Sequence, residues 1–205
     1  MPNPRYITLT EAQDLIQALP GSATKSDMLI HLDSFAEFVE DGSSRIILYE
    51  GDIALPYLAV KDDIVIINGD LAVAGTLADC LEVNISLMLA LGNVSTKDLF
   101  TFSQICVAGN LTVENAIIAD STCDYSLDVA GDVKAHLILE DGHWFDIKGK
   151  VTADDIYTSH SAKPRGVLQP NLSTEELVDE VKEKDRLDLT KAMQYLMNNN
   201  FVFRK

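Results

Sequence analysis

One five-residue phrase recurs six times between Ile46 and Tyr157, and it restricts the fold of this chain more than any other feature. An apolar residue stands two places before a glycine, a polar residue one place after it, and a second apolar residue two places after it. The copies read YEGDI around Gly51, INGDL around Gly69, ALGNV around Gly92, VAGNL around Gly109, VAGDV around Gly131 and IKGKV around Gly149.

Three columns align across the copies. Four residues before the glycine stand Ile47, Val65, Met88, Ile105, Leu127 and Phe145, and two before it Tyr49, Ile67, Ala90, Val107, Val129 and Ile147. Two after it stand Ile53, Leu71, Val94, Leu111, Val133 and Val151. These apolar columns alternate with mostly polar or small residues, the period of a strand with one buried face. A single copy could not bury that face alone, so the copies must stack in register. The glycine column suits a corner that needs positive φ or close backbone approach.

The predicted architecture is therefore mainly β: a single-stranded parallel β-helix of about six coils, flanked by N- and C-terminal amphipathic helices. Coils about 4.8 Å apart would make a rod on the order of 30 Å long. The glycine intervals of 18, 23, 17, 22 and 18 residues alternate short and long. The extra residues fall near Ala78–Asn84 and Ala119–Asp124, read as loops at one corner. A propeller ranks lower, because the copies are too few and carry no blade signature.

The flanks read differently. Residues 1–42 form an N-terminal helical cap. Thr10 and Gln13 have capping-box spacing before Ala12, Leu15, Ile16 and Leu19, and Pro20-Gly21 ends that helix. A second apolar stripe, Met28, Leu32, Phe35 and Val39, is helical, although LIHLDSF within it also reads as a strand. Residues 43–158 hold the repeats. Residues 159–172, with Pro164, Gly166 and Pro170, read as a linker or strap. Residues 173–205 read as C-terminal helices: Ser173 and Glu176 form a capping box opening a helix through about Lys184, and Leu189, Ala192, Met193 and Leu196 mark the last helix. Helices at both chain ends could cover the open coils.

Composition narrows the partners. The formal charge is −16, of which residues 1–42 carry −5, residues 43–160 carry −12 and residues 161–205 carry +1. Such a field repels nucleic acid and anionic membrane and draws in basic proteins, though acidity also serves plain solubility. Three cysteines without C-x-x-C spacing suit reduced thiols in a cytoplasmic protein. The N-terminus MPNPRYITLT lacks an apolar signal core, and no apolar run reaches the roughly 18 residues of a membrane span.

The glycine phrases, above all INGDLAVAGTL (Ile67–Leu77) and VAGNLTV (Val107–Val113), resemble the bactofilin-like, polymer-forming β-helix proteins. The resemblance covers about residues 45–157 and is one of repeat pattern. It implies a parallel, right-handed β-helix and, by extension, a self-assembling scaffold. It carries over no functional residue. That family has uncapped coils, whereas both flanks here read as helical, so a monomer or homodimer is expected ahead of a filament.

Candidate sites are few. Asp52, Asp70 and Asp132, with Asn93 and Asn110 between them, form an acidic turn column, read either as a binding feature or as turn chemistry that favours Asp and Asn. His136, Asp141 and His143 lie close together but match no metal-ligand spacing. His31 and His160 are isolated, and Cys106 and Cys123 have no foreseeable histidine partner. No P-loop, G-x-G-x-x-G, H-E-x-x-H or G-x-S-x-G occurs. The expected function is a non-catalytic acidic β-helix that binds a basic protein, such as an immunity-type neutraliser of a basic toxin, without metal or cofactor. The alternatives are the self-assembling scaffold and a carbohydrate-active enzyme with carboxylates beside the loops.

Overall fold

The structure is a computed structural model that describes residues 4–61, 63–79, 86–121, 125–159, 166–184, 186–198 and 202. Its centre is a parallel β-solenoid of six coils, as the repeats require. Each coil has three faces. Face A is built from Ile46–Glu50, Ile64–Asn68, Leu87–Ala90, Gln104–Val107, Ser126–Val129 and Trp144–Ile147. The glycine corner follows. Face B starts at Ile53, Leu71, Val94, Leu111, Val133 and Val151, and face C carries Leu58, Leu77, Leu99, Ile117, Ile138 and Ile156 inward.

Register follows the sequence columns. Ile47, Val65, Met88, Ile105, Leu127 and Phe145 pair in succession along face A, and Ile53, Leu71, Val94, Leu111, Val133 and Val151 along face B. Every strand pairing between coils is parallel among the described residues, and the one antiparallel contact between coils there is the isolated Asp120–Gly142 bridge. The inward columns meet in one continuous core that runs the length of the stack.

The chain ends lie along the sides of the stack. The first strand, β1 (Arg5–Ile7), pairs antiparallel with Ile46–Leu48 and so occupies the free edge of face A at coil 1. Helices α1 (Leu9–Gln17), α2 (Lys25–Ser34) and α3 (Ala36–Glu40) follow. They rest on the outer side of face A, where Ile16, Met28 and Leu32 pack on Leu48, Ile66 and Leu89. The reason is visible in the strands: IILY, IVII and LMLA are apolar on both sides, so coils 1–3 must bury their outer surface too.

Two local expectations are corrected. The capping box of α1 is Thr8 with Glu11, not Thr10 with Gln13. The Glu11 carboxylate accepts the Thr8 N–H at 2.8 Å, and it places a negative charge at the positive end of the helix, which neutral Gln13 could not. The stripe from Met28 to Val39 is helical, and it breaks at Phe35 into two helices.

The C-terminal segment is corrected more deeply. The Ser173–Glu176 capping box forms, yet it opens only a 3-10 turn, Thr174–Glu176. A second turn, Asp179–Val181, and a two-residue hairpin, Lys182–Glu183 with Arg186–Leu187, replace the expected helix. Leu177 is extended, so the Val178 N–H donates to the Val202 carbonyl at 2.9 Å instead of continuing a helix. Packing wins over propensity here: Leu177, Val181, Leu187 and Leu196 seat on the outer side of face C against Phe100, Ile118, Leu139 and Tyr157. Among the described residues of this region only α4 (Leu189–Met197) is an α-helix, capped by the Asp188 side chain accepting the Lys191 N–H.

The segment read as a linker or strap crosses coil 6. Gly166 bridges Phe145, the Asn171 and Leu172 N–H groups donate to the Ile156 carbonyl, and Leu168 is buried in the end of the core.

Candidate functional site

With face A covered by the N-terminal helices and face C by the C-terminal segment, face B is the side of the stack left to solvent. Its outward positions are small in coils 1–4: Ala54, Ala72, Ser95 and Thr112 stand side by side and exposed. Large residues would roughen this surface; these leave a shallow groove of about 540 Å³ beside the glycine corner. A second groove of about 650 Å³, lined by Pro56, Ala74, Lys97 and Glu114, continues it toward face C.

The acidic turn column edges this groove, and the structure gives it a definite job. Asp52 Oδ1 accepts the Asp70 N–H at 2.9 Å, Asp70 Oδ1 the Asn93 N–H at 2.7 Å, and Asn93 Oδ1 the Asn110 N–H at 2.9 Å. Asn110 Oδ1 then accepts the Asp132 N–H, and Asp132 Oδ1 the Lys150 N–H, both at 2.8 Å. Each side chain thus satisfies a backbone donor of the next coil, where a turn would otherwise leave it open. The asparagines also donate: Asn93 Nδ2 to Asp70 Oδ1 and Asn110 Nδ2 to Asn93 Oδ1. An amide bonds to neighbours on both sides, whereas five carboxylates in a row would repel.

This ladder explains the glycines. A Cβ on Gly92 would lie 2.5 Å from both Asp70 Oδ1 and the Gly69 carbonyl oxygen, and one on Gly109 2.6 Å from Asn93 Oδ1. Close approach, not backbone conformation, excludes a side chain there. Gly51 is the reverse case, with φ at +76° and open space around it.

Asp52, Asp70 and Asp132 therefore sit together on one exposed edge, each with one oxygen committed to the ladder. The histidine cluster does not assemble. His136 pairs with Asp154 at 2.7 Å on the surface, while His143 is buried and packs edge-on against Phe145. Desolvation lowers the His143 pKa to about 4. Asp141 accepts from Ser159 and raises its neighbour Asp120, whose own burial is the larger cause, to about 6. Cys80, Cys123, His160 and most of the two corner loops lie outside the described residues.

Two features were not foreseen. Asp79 points into the corner between faces C and A, fully buried, and accepts from the Phe102 N–H, the Thr101 hydroxyl and the Ser103 N–H. Burial outweighs those bonds and lifts its pKa to about 7. The second is a convergence of His31, Cys106 and Asp128. His31 Nε2 lies 2.9 Å and Cys106 Sγ 3.5 Å from Asp128 Oδ2, which also accepts from Gln104 Nε2 at 3.1 Å. Desolvation, and then the Asp128 charge, push the Cys106 thiol well above its usual range. A buried thiol held neutral is no nucleophile, so this is not a cysteine-hydrolase arrangement. The sequence signal was faint: Cys106 and Asp128 share the outward column of face A, but His31 comes from a helix 97 residues before Asp128.

The fold and this site define a class: an acidic β-solenoid that covers two of its sides with its own chain ends and leaves the third bare. Comparison with family models, curated proteins and solved structures finds no match. Among the described residues, no helix is long and apolar enough to cross a membrane.

Proposed function

We propose that the protein is a non-catalytic binding protein whose face B docks a basic protein partner. The observation that carries this is the unequal treatment of the three faces. The chain spends both its ends burying faces A and C, while face B stays flat, small-residued and exposed beside the Asp52–Asp70 edge. A flat, rigid sheet face costs little ordering entropy when a partner docks. Charge selects the partner: the repeat region holds most of the net −16, which steers a basic surface toward it. Neutralising a basic toxin, as an immunity protein does, is the form of this reading that best suits the size and charge.

The ends of the stack favour a monomer or homodimer over a filament. Face A of coil 1 is already paired by β1, and coil 6 is crossed by the Gly166–Leu172 strap. Scaffold assembly has one observation in its favour: the short strands Ile53–Leu55 and Leu58–Val60 pair on one side only among the described residues, so a second copy could join there.

The test is affinity capture from the producing cell, followed by calorimetry with the purified partner. A basic partner whose affinity falls at least tenfold between 50 and 500 mM salt, a rough expectation for steering by several charges, supports the proposal. A neutral or acidic partner, or binding indifferent to salt, contradicts it.

A further inference from the structure

We infer that His31, Cys106 and Asp128 form a binding site for a borderline-soft divalent cation of the zinc type, which clips helix α2 to coils 4 and 5.

The three ligand atoms lie within 4.8 Å of one another, and they are the one such group of metal-ligating side chains among the described residues. In a tetrahedral zinc site, bonds of about 2.0 Å to nitrogen and oxygen and about 2.3 Å to sulfur set neighbouring ligand atoms roughly 3.2–3.7 Å apart. The Sγ to Oδ2 distance of 3.5 Å already meets that, and the Nε2 to Oδ2 distance of 2.9 Å needs to open by a few tenths. Imidazole, thiolate and carboxylate together match zinc chemistry and disfavour calcium and magnesium, which take oxygen ligands.

The surroundings support coordination. Gln104 Nε2 donates to Asp128 Oδ2 at 3.1 Å and lies 3.7 Å from Cys106 Sγ, and so would hold both ligands in orientation. Cys106 and Asp128 are adjacent on paired strands, which fixes their spacing. His31 is about a quarter exposed, which gives an ion a path from solvent. Outward positions of face A are apolar in coils 1–3, Leu48, Ile66 and Leu89, and turn polar at Cys106 and Asp128.

The charges that act on Cys106 are Asp128 of the stack and Asp27 of α2, with the His31 imidazole against Asp128, and Lys148 lies beside Asp27. Lys148 is engaged by Asp146 at 2.7 Å. Binding replaces the S–H bond with a metal–sulfur bond, and the thiol proton leaves to solvent. Affinity should therefore rise about tenfold per pH unit while the free thiol stays protonated.

The experiment is a cobalt(II) titration of the metal-free full chain carrying Cys80→Ser and Cys123→Ser, so that Cys106 is the sole thiol. The expected result is one cobalt per chain, a thiolate charge-transfer band in the near ultraviolet, visible bands of four-coordinate cobalt, and displacement by zinc. Cys106→Ser should abolish the charge-transfer band. His31→Gln, on the partly exposed helix, should weaken binding about a hundredfold while leaving the fold intact by circular dichroism. No thiolate band in the parent, or full-strength binding in His31→Gln, overturns the assignment.

Discussion

At the scale of single residues, the solenoid rests on a repeating exchange between a side-chain oxygen and the backbone of the next coil. That exchange sorts the glycines into two kinds with different sensitivity. Gly109→Ala should cost about 2–4 kcal/mol, combining overpacking with damage to the Asn93–Asn110 bonds. Gly51→Ala should cost about 1–2 kcal/mol, from its left-handed conformation alone. Urea denaturation of the two variants checks the order. The sequence columns located every one of these residues. They could not say which glycines need positive φ and which need closeness, because that depends on what lies in the coil beneath.

Two buried groups at this scale titrate in opposition. Asp79, raised to about 7, keeps in the folded state a proton that the unfolded chain loses near pH 4, so its contribution is present at low pH and lost as pH rises through 7. His143, lowered to about 4 from 6.5, refuses a proton that the unfolded chain accepts, so its contribution is present above pH 6.5 and lost as pH falls toward 4. Between pH 4 and 6.5 the two slopes cancel in large part, each on the order of 1.4 kcal/mol per pH unit. Half-buried Asp120 adds weakly to the Asp79 side. Stability should therefore climb with pH over that range in Asp79→Asn and decline in His143→Gln. Chemical denaturation at half-unit pH steps measures both, and identical profiles for the two variants would contradict the assignment.

At the scale of elements, face coverage was written in the strands. Leu48, Ile66 and Leu89 make coils 1–3 apolar on the outside of face A, and Phe100, Ile118 and Leu139 do the same for face C. The alternating columns showed the inward set and thereby the fold. The outward set needed a second reading of the same strands, since a run apolar on both sides signals a covering layer. What remained hidden was which chain end covers which face, and that Leu177 would leave helical geometry to let Val178 reach Val202. Long-range packing decides that, and local spacing carries no trace of it. The strap gives this scale its test. Leu168, 2% exposed, closes the core at coil 6. Leu168→Ala should cost about 2–5 kcal/mol by the cavity it leaves. Its unfolding midpoint against that of the parent measures this, and a neutral change would mean that the strap only rests on the coil.

At the scale of the whole molecule, the candidate site was half legible. Asp52, Asp70 and Asp132 could be placed in one column from the sequence, but the bare face beside them appears only once both flanks are seen to lie against the other two sides. Of the His31–Cys106–Asp128 convergence only the Cys106–Asp128 column was legible, because His31 joins it from a helix that precedes the coils. If the exposed small-residue face is the working surface, a bulky charge placed there should block the partner. Arginine substitution on three sides of the molecule tests it most directly: Ala72→Arg on face B, Gln17→Arg on α1 and Gln194→Arg on α4, all at exposed positions. Affinity for the captured partner should fall more than about a hundredfold in Ala72→Arg, as expected for a blocked interface centre, and stay within about threefold of the parent in the other two. Binding retained by Ala72→Arg and lost in either of the others would place the working surface on a different side of the molecule.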